Sequence, residues 1–304
     1  MNIYWPVYKN LESEFLKLMY DIHINDHQLN VYSSKISDLI LRSVVEIESL
    51  SKELYVLNNG PKKDTSKIKY DYDAIQFLID TWKIDRKIVI ISSKQCFLTN
   101  IELSPFLKNE TKTNKKNQTF SWNNAYQNIK HNRSENIHMG SIKYLFDSMS
   151  ALYLLNLYFS NININLGRDL YAKSISPSFG SDIFSIYIFP HQGPIDKEKY
   201  IRDELSEKDF QKSVYFVDVK KETIKTFTES FKKLNQTTNE IALKNEKIKE
   251  YLKNKDLTKL TRSWIVEAVG VDEETKIIRE AYRISPIRGY EIIEYEAILN
   301  KNQV

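Results

Sequence analysis

The 304-residue chain is 41% hydrophobic and 28% charged, with a formal net charge of +4. Its 14 Phe, 19 Tyr and 4 Trp supply ample material for a packed core and exclude a disordered chain. The 44 basic residues outnumber the 40 acidic ones by too little to indicate nucleic acid on their own.

The 7 glycines are all isolated. None belongs to a G-x-G-x-x-G or G-x4-G-K-S/T loop that would cradle phosphates, which argues against dinucleotide-binding dehydrogenases, P-loop enzymes and kinases. No nucleotide cofactor is therefore expected. Cys96 is the single cysteine, so neither an intrachain disulfide nor a Cys-based zinc site is available, as in a reducing cytosol. The first residues lack the basic and apolar regions of a signal peptide. The longest apolar stretch, Ala151 to Phe159, is interrupted by Asn156. Neither a membrane span nor a location outside the cytoplasm is expected.

Along the chain, Ile36, Leu39, Ile40, Val44, Ile47, Leu50 and Leu54 recur at steps of three and four, one face of a helix within Leu29–Tyr55. Ser33 or Ser34 is its candidate N-cap, with Asp38 near the first turn, and Gly60-Pro61 marks its stop. A second helix is predicted from Tyr72 to Trp82, and short strands at Lys87–Ile91 and Cys96–Leu98. The lysine- and asparagine-rich stretch Lys108–Thr119 reads as an exposed loop. A helix with Trp122, Tyr126 and Ile129 on its apolar side occupies Ser121–Arg133. Ile142–Phe159, with Ile142, Leu145, Phe146, Met149, Leu152 and Leu155 at helical spacing, is the best candidate for a buried helix.

Beyond Asn161 the character changes. A linker is predicted over Asn161–Gly180, strands at Ile183–Phe189 and Val214–Val219, and charged helix over Lys220–Leu260. Trp264–Val271 and Tyr290–Leu299 fit strand or short helix equally well. The expected class is α+β: a helical N-terminal domain, residues 1–165, and a mixed α/β domain of open role, residues 166–304.

The informative histidines lie in Lys130-His131-Asn132-Arg133-Ser134-Glu135-Asn136-Ile137-His138. A helix continued through it would align Asn128, His131, Glu135 and His138 as one polar stripe. Arg133 and His138 match the pattern R-x4-H.

That pattern in a helical context resembles the HEPN superfamily (higher eukaryotes and prokaryotes nucleotide-binding). Tyr32-Ser33, Glu46 and Glu48, Trp122 and Tyr126, and Lys130-His131-Asn132-Arg133 before a long apolar helix strengthen the resemblance to uncharacterised bacterial HEPN-like proteins. It covers about residues 1–160. The resemblance implies a homodimer and metal-independent endoribonuclease activity leaving 2′,3′-cyclic phosphate ends, in antiviral defence or a toxin-like abortive system. It implies a catalytic set of Arg133, His138 and His131. Arg133 would neutralise the phosphate and His138 would act as acid or base, since an imidazole exchanges protons near neutral pH. Lys130, Asn132 and Asn128 would contact the substrate. A link from Glu46 to Arg133 or from Glu48 to His131 would orient the site. No cofactor and no metal is implied. A non-catalytic helical dimerisation or adaptor module on the same scaffold stays open beside this reading.

Overall fold

The computed structural model describes residues 2–94, 96–111, 114–191, 207–253, 264–286 and 292–302. Helix α1 (Tyr4–Asp21) buries Tyr8, Leu11, Phe15 and Leu18 along one side. It falls outside the expected elements, although its apolar residues keep the helical steps. In α2 (Ser34–Leu57) the predicted face is buried, and the Ser33 hydroxyl accepts the Ile36 N–H at 3.1 Å as N-cap. A π-helical turn, Tyr70–Ala74, leads into α3 (Ile75–Trp82).

Strands β1 (Val89–Ile91) and β2 (Ile101–Leu103) follow. Cys96–Leu98 is not a strand; the Cys96 N–H closes a turn on the Ser93 carbonyl, and its buried thiol meets Met19 Sδ at 3.9 Å. Where composition predicts a loop, β3 (Asn109–Thr111) and β4 (Asn114–Thr119) pair as an antiparallel hairpin. Polar composition is blind to such backbone pairing. Next come α4 (Ser121–His131), the single turn α5 (Arg133–Asn136) and α6 (Ile142–Ser160). The expected linker contains β5 (Ile164–Gly167), followed by β6 (Phe184–Ile186), β7 (Ile188–Phe189), α7 (Glu207–Lys212) and β8 (Tyr215–Val219). The charged stretch forms α8 (Lys221–Ala242) and α9 (Glu246–Lys253), while residues 254–260 lie outside the described residues. The two undecided segments are resolved as helix α10 (Trp264–Val269), before α11 (Val271–Ile284), and strand β9 (Tyr295–Leu299).

The chain is α+β and divides into two compact units. One comprises Met1–Leu166, Leu170–Asp218 and Ala297–Val304; the other comprises Gly167–Asp169 and Val219–Glu296. In the first, α1, α2 and α4 surround α6, whose residues are buried on every side. An antiparallel sheet of order β2-β1-β6 and a mixed sheet of order β5-β9-β8-β7 complete this unit. The second unit has its own core of Ala242, Ile248, Ile265 and Ile277. Among the described residues no helix is long and apolar enough to cross a membrane.

Two buried charged residues of the first unit contrast. Glu12 of α1 is 0% exposed and fully partnered. Its Oε1 accepts the Tyr8 hydroxyl at 2.8 Å, the Ser181 hydroxyl, and the N–H groups of Asp182 and Ile183 at 3.1 and 3.3 Å. Lys9 donates to Oε2. The Tyr8 phenol is pushed well up by burial and by the adjacent carboxylate. Lys87, just before β1, is also 0% exposed, yet its Nζ has no hydrogen-bond partner. Burial pushes its amine down to about 7, against the attraction of Asp85.

Glu12→Ala removes the acceptor shared by two hydroxyls and two N–H groups, of which the hydroxyls keep each other and the Ile183 N–H keeps Ser181 Oγ, so it is expected to cost roughly 3 kcal/mol in urea unfolding. For Lys87, the unfolded chain keeps its proton up to the ordinary 10.5, whereas the folded chain releases it near 7. Stability from this group therefore grows as pH rises between those values and is lowest below the folded one. Lys87→Met is expected to raise the thermal midpoint by several degrees at about pH 6 and by much less at about pH 10. An equal shift at both pH values contradicts a neutral buried amine.

Candidate functional site

The candidate residues are carried by the connection between α4 and α6. The apolar side of α4 (Trp122, Ala125, Tyr126 and Ile129) is buried, and the Trp122 indole N–H donates to the Pro105 carbonyl at 2.8 Å. Of its other residues, Asn123 is buried, Ser121, Asn124, Gln127 and Asn128 are half-buried, and Lys130 and His131 are exposed. The helix stops at Asn132, whose φ of −149° and ψ of 69° take the backbone out of the helix. The Asn132 amide nitrogen donates to Glu135, and its Oδ1 accepts the Ser134 hydroxyl at 3.3 Å. Such side-chain bonding competes with a continuing helix. Asn136 then donates its N–H back to the Asn132 carbonyl at 3.1 Å, closing the single turn α5. A 3-10 turn, Ile137–Met139, carries His138.

The predicted polar stripe is therefore broken. Asn128 and His131 stay on α4, whereas Glu135 and His138 belong to the two following turns. Asn128 folds back on its own helix, donating to the Asn124 carbonyl at 2.8 Å. Lys130 is exposed, and its Nζ lies 5.3 Å from the centre of the Tyr126 ring. His131, Asn132, Arg133 and His138 are all exposed.

The connection is fixed to the start of α2. Ser33 donates its N–H to the Gly140 carbonyl at 3.2 Å, Tyr32 bridges Ser141, and Ile142 and Lys143 donate to the carbonyls of Val31 and Leu29. Gly140 lies so close to α2 that an added Cβ would stand 1.9 Å from Ser37 Oγ. At the next residue, Arg133 Nη2 meets Asp38 Oδ1 at 2.9 Å.

Asp38, not Glu46, is thus the partner of Arg133. Glu46 sits on the side of α2 that acts on the Tyr4 phenol, a hydroxyl already held by Ser49 and Glu53. Glu48 pairs with Lys52 at 2.7 Å rather than with His131. Its charge also acts on Tyr70, whose phenol is raised mainly by burial and donates to Asn123 at 2.6 Å. Neither glutamate orients the Arg133 and His138 segment. Asp38 carried a readable signal, since it shares an exposed stripe of α2 with Lys35 and Arg42. Which of the three would meet Arg133 depends on a contact across 95 residues.

Among the described residues no three of His, Cys, Asp and Glu are placed to hold a metal ion. Compared with family models, with curated proteins and with solved structures, the chain matches none. The chemistry available is that of an exposed guanidinium, two imidazoles and an ammonium on one anchored segment, a set suited to a phosphodiester.

Gly140→Ala forces the connection away from Ser37 and is expected to destabilise the chain by about 1–3 kcal/mol in urea unfolding. Adding Ser37→Gly removes the nearest atoms met by the new methyl and should recover most of that loss. No recovery in the double variant argues against the close approach.

Proposed function

We propose that the chain is a metal-independent endoribonuclease of HEPN type that works as a homodimer. The observation that carries this reading is the exposure of His131, Arg133 and His138 on one short segment anchored to α2. In the reaction the ribose 2′-oxygen attacks the neighbouring phosphorus and the P–O5′ bond breaks. The products are a 2′,3′-cyclic phosphate and a free 5′-hydroxyl. His138 takes the 2′-hydroxyl proton or returns one to the departing 5′-oxygen, and a second copy supplies the second imidazole. Arg133 neutralises the phosphoryl oxygens as charge builds on them. Lys130 and His131 add phosphate contacts, and Asn132 and Asn128 stand beside them. A role in antiviral or toxin-like abortive responses follows from the same resemblance.

A second reading is favoured by the Arg133–Asp38 ion pair and the broken stripe: a non-catalytic helical module in which this segment only braces α2.

The purified full chain, incubated with an end-labelled structured RNA without metal, is expected to give fragments ending in cyclic phosphate. Arg133→Ala and His138→Ala are each expected to slow cleavage by about a hundredfold or more. If the intact chain leaves RNA whole, or the double variant cuts at the same rate, the nuclease reading falls and the bracing role remains.

A further inference from the structure

In the first turns of α2, positions 35, 38 and 42 are three and four residues apart and share one face. Lys35, Asp38 and Arg42 are all exposed there. Arg133 lands on the middle of the three, with 42% of its side chain exposed against 61% for Asp38. On the α1 side of this face, Glu14 is held below the ordinary carboxylate range by its hydrogen bond from Lys17, helped by Lys35 and Arg42. Lys17, Lys35 and Arg42 thus act on Glu14, while Arg133 meets Asp38.

We infer that this face of α2 is the phosphate-binding half of the RNA site, with Asp38 holding the place of a backbone phosphate on Arg133. The inference rests on the RNA-directed reading and deepens it by adding Lys35 and Arg42 as substrate contacts.

Three physical points support it. An ion pair this exposed is weak and screened by solvent, so a phosphate can displace the carboxylate. A phosphate presents to a guanidinium the same pair of acceptor oxygens as a carboxylate. With Asp38 displaced, Lys35 and Arg42, one turn to either side, flank the incoming strand. Asp38 thus keeps Arg133 extended toward α2 while competing with the ligand for it.

The two possible roles of Asp38 predict opposite signs. Were it a positioning residue, its loss would weaken RNA binding; as a competitor, its loss strengthens it. The measurement is fluorescence anisotropy of a labelled single-stranded RNA with the full chain over a range of salt. Asp38→Asn is expected to bind about twofold to fivefold more tightly. Lys35→Gln and Arg42→Gln are each expected to weaken binding and to lower the salt slope by about one. Lys225→Gln, an exposed lysine of α8, controls for net charge and should change neither. If Arg133→Ala weakens binding while Asp38→Asn leaves it equal or weaker, the inference falls and the RNA reading stands. The same holds if Lys35→Gln and Arg42→Gln behave like the control. If the intact chain binds no RNA at all, both fall.

Discussion

From Ile142 to Ser160, α6 is mostly apolar, and nearly all of its residues are out of solvent. A helix that is apolar on every side needs cover on every side. Its polar residues turn inward on their own backbone: Ser148 donates to the Leu145 carbonyl, Ser150 to that of Asp147, Asn156 to that of Leu152 and Ser160 to that of Asn156. Two donors reach outward, the Tyr153 hydroxyl to the Ser178 carbonyl at 2.8 Å and the Tyr158 hydroxyl to the Asn300 carbonyl at 2.7 Å, and apolar faces close on the rest of the helix. Helices α1, α2 and α4 do so, with ring contacts such as Phe15 on Phe146 at 4.9 Å. The Ser43 hydroxyl of α2 comes within 3.2 Å of Met149 Sδ, and the small side chain lets the two helices approach.

That arrangement determines where charge can go. With the inner faces of α2 and α4 committed to α6, their charged residues are confined to the outer faces and to the ends. Asn132 ends α4 at the rim, and the chain crosses the start of α2 before α6 begins. Backbone bonds from residues 29–33 to 140–143 fasten this crossing at its far end, and the Arg133–Asp38 pair marks its near end. His131 is consequently presented by the last residue of α4, and Arg133 and His138 by the tight turns that follow it. Turn geometry, and not a continuous helical stripe, sets their directions.

How much of this could be read beforehand follows from the range of the forces involved. Helices α2, α4 and α6 were legible because a buried stripe writes itself into the sequence as steps of three and four, and Ser33 capped α2 as its residue type suggests. The hairpin β3–β4 was not legible, because its pairing is made by the backbone and its residues resemble a loop. Within the candidate site, the residue types Arg133, His131 and His138 and their exposure were legible. The break at Asn132 was not, since it is decided by one amide that bonds forward to Ser134 and Glu135 rather than by any periodicity. Asp38 was visible as an acid near the first turn of α2, but its pairing was not, because its partner is 95 residues away.

The same range argument separates the two buried charges. The partners of Glu12 at Ser181, Asp182 and Ile183 are distant in sequence but close in space, and every one of them donates to it. The carboxylate thereby fastens α1 to the segment leading into β6, and its charge is stabilised by the donors it gathers. Lys87 gathers none, and Asp85 beside it also keeps a buried oxygen without a partner. Two opposite charges so near in sequence could have closed a direct bond, yet the chain places them so that neither is satisfied by the other. Burial disfavours the ammonium there and favours the neutral amine. Lys87 therefore links folding to proton release.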